Sequence, residues 1–336
     1  MKYLLALFSL VFLFGCTSAP HLGEIINYTG ASPIVFMSKA EEKSGELYLL
    51  NDSNITRLTH NTRHENNPAF SPDRKKIAYH GGNESNPLTW EVYVLDLKTG
   101  VETQITHNNI IDGHPDWSPD GTKIVYASFE KNGRPAGVAE LKVFDILTNK
   151  TYQLTHNTWE DNDPEWSPDG TKIIFKSNRD TKVPAREEIY VMNSDGTDVK
   201  RLTKTTDWNS DHDASWAPDS NSVVFERYEG KKVPWNYIAN LTYLAAHTKD
   251  LLPWNIYSVD LLGNLTQLTN VRQIAFLPVY SSDGTSLMYM TIDFIYQNGQ
   301  VVGAEHKLIE TNADGKNPHE ISLGKKHLYE LQYFDW

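Results

Sequence analysis

One pattern recurs five times along the chain: Asn67-Pro68-Ala69-Phe70-Ser71-Pro72-Asp73, His114-Pro115-Asp116-Trp117-Ser118-Pro119-Asp120, Asp163-Pro164-Glu165-Trp166-Ser167-Pro168-Asp169, Asp213-Ala214-Ser215-Trp216-Ala217-Pro218-Asp219 and Leu277-Pro278-Val279-Tyr280-Ser281-Ser282-Asp283. Successive copies lie 47, 49, 50 and 64 residues apart, so only the last interval carries an insertion. A period of this length marks a repeat architecture. Within each copy, Ser-Pro-Asp-Gly or its equivalent is a type I turn, because Pro presets φ at the second position and Asp and Gly suit the next two. A β-rich run follows, such as Lys123-Ile124-Val125-Tyr126 or Lys172-Ile173-Ile174-Phe175. A third run (Glu188-Ile189-Tyr190-Val191-Met192), a tight turn and a fourth run ending Arg201-Leu202-Thr203 complete the unit. Four antiparallel strands in roughly 47 residues make a propeller blade. A single blade leaves both faces uncovered, so several must close a ring.

The chain ends set the blade number. Residues 34–60 begin at a second strand, Ile34-Val35-Phe36, and Tyr329 to Phe334 supply an orphan first strand. The fold expected is therefore all-β: a six-bladed β-propeller of four-stranded antiparallel blades, closed by pairing the C-terminal strand with the N-terminal blade. Length alone, at 336 residues, suggests two domains; the repeat assigns residues 33–336 to one, with an insertion at 229–254.

Residues 1–15 have a basic start and an apolar run from Leu4 to Phe14. That run is too short for a bilayer core, which needs about 20 residues, and suits an export signal. Leu13-Phe14-Gly15-Cys16 resembles the bacterial lipoprotein cleavage box, which implies lipidation of Cys16. Thr17 in place of Asp then implies sorting to the outer membrane, with residues 16–32 as a tether reaching about 50 Å when extended. As the only Cys in the chain, Cys16 cannot form an intrachain disulfide. The net charge of -12 opposes nucleic-acid binding and polybasic membrane contact, leaving the lipid as the only membrane attachment.

The Pro-x-Trp-Ser-Pro-Asp-Gly-Thr-Lys-Ile repeats with Leu-Thr-His-Asn endings resemble the propeller of TolB, the periplasmic part of the Tol–Pal envelope system. TolB carries an additional N-terminal α/β domain, for which there is no room between Cys16 and Ile34. The resemblance thus implies a periplasm-facing propeller whose partners are envelope proteins or peptides, without the contacts made through that domain.

Long, varied loops join second to third strands and fourth strands to the next blade, and they share the face opposite the Ser-Pro-Asp-Gly turns. Function is expected on that loop face. Three residues before each core aromatic stand Asn67, His114, Asp163, Asp213, Leu277 and, with the last strand aligned on Tyr333, Glu330. Such a ring at the channel mouth suits a hard cation, and the imidazole widens the choice: Ca, Mn or Zn at His114, Asp163 and Asp213. Strand caps around a water-filled channel would use the same residues. His64, Asp112, Asp161, Asp211 and His212 enlarge the expected polar zone, and Trp159, Trp208, Trp235 and Trp254 are candidate apolar anchors. The repeated aromatics Phe70, Trp117, Trp166, Trp216, Tyr280 and Tyr333 read as core between blades. His60, His107 and His156 of the Thr-His-Asn endings read as local backbone hydrogen-bonding groups.

The chain contains no Gly-x-Ser-x-Gly, no His-Glu-x-x-His and no phosphate-binding Gly loop. A binding scaffold is therefore the leading expectation. The alternative is a metal-dependent, carbohydrate-active enzyme resembling oligogalacturonate lyases, working on an oligosaccharide through the His114/Asp163/Asp213 ring.

Overall fold

The computed structural model describes residues 33–39, 44–51, 54–129, 138–180, 186–205, 209–229, 254–271, 274–298, 300–321 and 331–335. The signal segment 1–15, the tether 16–32 with Cys16, and Trp208, Trp235 and Glu330 lie outside them, as does the interior of the 229–254 insertion.

Six four-stranded antiparallel sheets form the six expected blades. Blade 1 is β1 (Ile34–Ser38), β2 (Glu46–Asn51) and β3 (Asn54–Arg57), completed by β24 (Leu331–Asp335). Blade 2 is β4 (His64–Phe70) to β7 (Glu102–Gln104), blade 3 is β8 (Ile111–Trp117) to β11 (Lys150–Gln153), and blade 4 is β12 (Asp161–Trp166) to β15 (Lys200–Arg201). Blade 5 runs from β16 (Ser210–Trp216) to β19 (Leu265–Gln267), and blade 6 from β20 (Ile274–Tyr280) to β23 (His319–Ile321). The second strands are β5 (Lys76–Asn83), β9 (Lys123–Phe129), β13 (Lys172–Ser177), β17 (Ser222–Tyr228) and β21 (Ser286–Gln297).

The turns close as the sequence dictates. Gly121 N–H donates to Ser118 O and Gly170 N–H to Ser167 O, both at 2.8 Å. Asp120 Oδ1 accepts from Ser118 Oγ (2.6 Å) and Thr122 N (2.9 Å), so one carboxylate fastens the turn from inside. The Leu-Thr ending works through its Thr: Thr106 and Thr155 each accept from the third strand, at Val92 N and Leu141 N, at 2.9 Å. His60, His107 and His156 point outward and are exposed, so the local bonding expected of them falls to the neighbouring Thr and Asn.

Six hydrophobic clusters fill the six blade junctions. Trp166 of blade 4, for example, packs with Val125, Leu141 and Val143 of blade 3, and Phe36 and Tyr48 of blade 1 pack with Met288, Met290 and Leu308 of blade 6. Each interface buries large side chains worth about 1.5–3 kcal/mol apiece, and none exists until its neighbour is in place.

The clasp forms in a different register from the one expected. Asp335 pairs with Val35, and a bulge separates Phe334 from Gln332. Glu165 of blade 4 likewise pairs with Ile174, one residue before Trp166. Asp335 therefore holds the place of Glu165, so Tyr333 falls at the bulge and the core-aromatic position is the one after Asp335. Aligning on Tyr333 misplaced the strand by three residues because neither a proline at the bulge nor an Asp-containing turn after the aromatic marks its place.

Candidate functional site at the loop-face mouth of the channel

Every inner strand from β4 to β20 slips register near its loop-face end, between Asn66 and Ala69 in blade 2 and between Asn162 and Glu165 in blade 4. The first residue of each slip is Asn67, His114, Asp163, Asp213 or Leu277, with φ of 44°, 52°, 47°, 41° and 52°. Asn, Asp and His tolerate this left-handed region, and the bulge re-aims the side chain. Four of these residue types are thus what the backbone asks for, whatever else they do. Leu277 holds the same conformation at a cost of about 1–2 kcal/mol. All five line one axial cavity of about 430 Å³.

Behind this ring, His80, Lys176 and Glu226 occupy one register position of the second strands, opposite Asn66, Asn162 and His212. Where that position carries an acceptor, it binds the next blade. His80 Nδ1 accepts from His114 N (3.1 Å), and Glu226 Oε2 from Leu277 N (2.8 Å). Gly113 makes the first contact feasible, since a Cβ there would stand 3.2 Å from His80 Nδ1.

Lys176 is the ring's cation. Its ammonium lies 2.5 Å from Asp163 Oδ2 and 3.5 Å from Glu187 Oε2, while Asp163 Oδ1 faces His114 Nδ1. Burial opposes ionisation of Asp163, but His114 and Lys176 outweigh it and hold the carboxyl below the usual range. Asp213 is shifted the other way, raised by burial and by Asp163. Burial, then Glu187, raises Glu160 at the rim to about 7. His114, Asp163 and Asp213 are thus brought to one mouth, but they do not fit a metal ion: both Asp163 oxygens are committed, one of them to an ammonium. No group of three His, Cys, Asp or Glu among the described residues is arranged to hold one.

Lys176→Met leaves Asp163 and Glu187 without their cation. It is expected to cost on the order of 2 kcal/mol at pH 8, and less at pH 5, where the orphaned Asp163 takes a proton. Urea unfolding at the two pH values reads the difference; equal losses would show that Lys176 does not neutralise the ring.

The remaining expected site residues lie elsewhere. Asp112, Asp161 and Asp211 are fully buried inside their blades and do not belong to the mouth. Asp112 and Asp161 each accept from an Asn of the preceding loop, Asn108 and Asn157, at 2.6 Å. Asp161 also takes both oxygens to Arg179 (2.8 and 2.7 Å), and Asp211 does the same with Arg227 (2.6 and 2.8 Å). Each Arg lies on a stacked aromatic pair, Phe175/Tyr190 or Phe225/Tyr257. His64 is buried beside Trp90 and accepts from Gly45 N (2.9 Å). His212 is buried, with Nδ1 2.9 Å from Glu187 Oε2. Trp254 starts β18 (Trp254–Asp260) and is buried against His212 and Tyr228, so it packs the rim and offers no open ring. Trp159, 44% exposed, stands free beside Glu160.

A second polar layer lines the same cavity nearer its turn-face end, where Pro168, Pro218 and Ser282 also line it. Asp116 Oδ2 accepts from Trp166 N (2.7 Å), Glu165 Oε1 from Trp216 N (2.9 Å) and Asp335 Oδ2 from Phe70 N (2.7 Å). The only cue to this layer in the sequence is an acid between Pro and Trp in two repeats, Asp116 and Glu165.

These features define a closed six-bladed propeller with a charged ring in its axial channel. A family model described as the TolB beta propeller domain matches residues 29–136 and 135–240, and the chain belongs to that family. Among solved structures, TolB from Acinetobacter baumannii is similar, with a TM-score of 0.64 and 20% identity over 90% of this chain and 65% of that one. This chain therefore spans about two thirds of that protein's length. A putative TolB from Agrobacterium tumefaciens follows at 0.59 and 15%, covering 90% and 92%. An oligogalacturonate lyase in complex with manganese gives 0.58 and 16%, covering 87% and 74%. At these identities the likeness is one of fold. No curated protein sequence matches the chain.

Proposed function

We propose that the chain is a periplasm-facing lipoprotein, anchored to the outer membrane through Cys16, that binds an envelope protein or peptide at its loop face. The observation that carries this reading is the mouth itself: a socket of fixed, mixed charge around His114, Asp163 and Lys176, with an open indole at Trp159. Rigid charged groups select a partner by complementarity, and an exposed aromatic beside them supplies the apolar anchor that concentrates binding energy. Trp208 and the 229–254 insertion, with Trp235, are assigned to the same partner surface. Membership of the TolB propeller family supports the envelope setting.

The test is a pull-down from membrane extract with the soluble chain starting after Cys16. A partner retained by the wild type is expected to be lost from the Trp159→Ala/Trp208→Ala double variant and kept by a turn-face variant, Leu147→Ala. Equal capture by all three would remove the loop face as the binding surface. The metal-dependent lyase reading needs a metal that the ring, as arranged, does not fit, and elemental analysis tests it directly: a stoichiometric metal lost in His114→Ala/Asp163→Ala would replace the scaffold by the enzyme.

A further inference from the structure

The turn face of the propeller is where the N-terminal segment leaves it. β1 takes the place of a second strand, and second strands start at the turn face, as β9 does at Lys123 directly after Ser118-Pro119-Asp120-Gly121-Thr122. Pro33, just before β1, accepts through its carbonyl from Arg74 Nη1 (3.3 Å), and Arg74 belongs to the corresponding turn of blade 2. The chain therefore runs from Pro33 toward residue 32 on this side, and residues 17–32 separate it from Cys16.

The same face presents apolar tips. The turns between third and fourth strands are tied to the first-to-second-strand turns of their own blades: Leu97 N donates to Lys75 O (2.9 Å), Ile146 N to Thr122 O (2.9 Å) and Leu261 N to Asn221 O (3.3 Å). These tips expose Val101, Leu147 and Leu262, at 57%, 78% and 89% in blades 2, 3 and 5, and Val199 is exposed at the corresponding place in blade 4. A single exposed leucine means little. Here apolar side chains recur at one turn in successive blades, on the side where the chain runs to Cys16.

We infer that this face rests on the phospholipid surface that holds the Cys16 lipid, with Leu147 and Leu262 entering the boundary between headgroups and acyl chains and Val101 and Val199 flanking them. This orientation builds on the anchor proposed at Cys16. It leaves the loop-face mouth pointing away from the membrane, open to a partner, while position 147 meets lipid and no protein. Because the anchor already confines the domain to the surface, a few apolar contacts set its orientation without having to supply affinity. Exposed Lys98, Lys150 and Lys200 stand in or next to three of these turns, where their alkyl stems can lie along the boundary with the ammonium groups among the phosphates. Asp120, Asp169 and Asp283 are bound within their own turns, each accepting from a Ser hydroxyl and a Thr N–H that hold it ionised. With the net charge of -12 they favour a zwitterionic surface over an anionic one, and the same repulsion disfavours a second copy of the chain as the occupant.

The test uses the full, lipidated chain in phosphatidylcholine vesicles. Cys16 is the only cysteine, and the lipid takes its thiol. Thr148→Cys or Thr158→Cys then offers one site for an environment-sensitive dye, beside Leu147 on the turn face or Trp159 on the loop face. Phospholipid with a nitroxide on its acyl chain is expected to quench the dye at 148 and leave the dye at 158 bright. Both leucines are exposed, so Leu147→Ser/Leu262→Ser keeps the fold; it is expected to lower the docked share about tenfold for each leucine withdrawn, and with it the quenching at 148. In a chain that floats with the vesicles, equal quenching at both positions overturns the docking alone. So does a dye at 148 that shifts to the blue without being quenched, as burial against a second copy would make it. Two dyes per chain and no flotation would instead remove the anchor, and this docking with it.

Discussion

Removing the last eight residues, Tyr329 to Trp336, is expected to abolish cooperative folding of the propeller, although the strand they contain, β24, is only five residues long. Without β24, the inner edge of β1 has no partner for the pairs now made at Val35, Phe36, Met37 and Ser38, and Phe70 N loses Asp335. Each buried backbone group left unpaired costs about 1–3 kcal/mol, so several together approach the entire stability of a typical domain. The damage reaches beyond one blade because β1 contributes to both neighbouring cores, Val35 and Met37 on one side and Ile34 and Phe36 on the other. Urea unfolding followed by near-ultraviolet dichroism reads the outcome. A truncated chain that unfolds at the wild-type midpoint would show that the ring does not depend on its clasp.

Breaking the Asp211–Arg227 pair has the next largest effect. The two side chains are 0% and 8% exposed and joined by two hydrogen bonds, and Arg227 also caps the Phe225/Tyr257 stack. Arg227→Met is expected to cost about 3–5 kcal/mol, because it strands a buried carboxylate. The Asp211→Asn/Arg227→Met double variant should recover part of that loss, since no uncompensated charge remains. If the double variant is as unstable as the sum of the singles, the pair has no energetic coupling and the stack alone explains the cost.

The ring was legible in the sequence because its determinants are local. Ser-Pro-Asp-Gly turns, an aromatic at a fixed offset and β-rich runs recur at a steady period, and the incomplete first blade announces its missing strand. Register at the clasp was less legible: Tyr333-Phe334-Asp335-Trp336 lacks the proline that marks the bulge in four of the five repeats and the Pro-Asp or Ser-Asp turn that follows the aromatic in all five, and Tyr333 imitates a core aromatic. The site was only half legible. Asn67, His114, Asp163 and Asp213 share a repeat position, so the fold brings them to one mouth. Asp112, Asp161 and Asp211 share a position too, two residues earlier, but there the side chain turns into the blade, toward Asn108 for Asp112 and toward Arg179 and Arg227 of the second-strand ends for the other two. Lys176 was invisible for a related reason: a lysine late in a strand reads as solvent-facing until the ring closes over it. Asp116 and Glu165 carry no signal of their own in the sequence because their partners, Trp166 N and Trp216 N, belong to the next blade.

The central claim is that the loop-face mouth is where this propeller meets its partner. The most direct measurement places a photo-crosslinking residue at Trp159 on the loop face, or at Leu147 on the turn face, in the full-length chain expressed in bacterial envelopes. A discrete crosslinked adduct from position 159, weakened by Lys176→Met and absent from position 147, is the result predicted. Crosslinks arising from position 147, or equally from both faces, would contradict it.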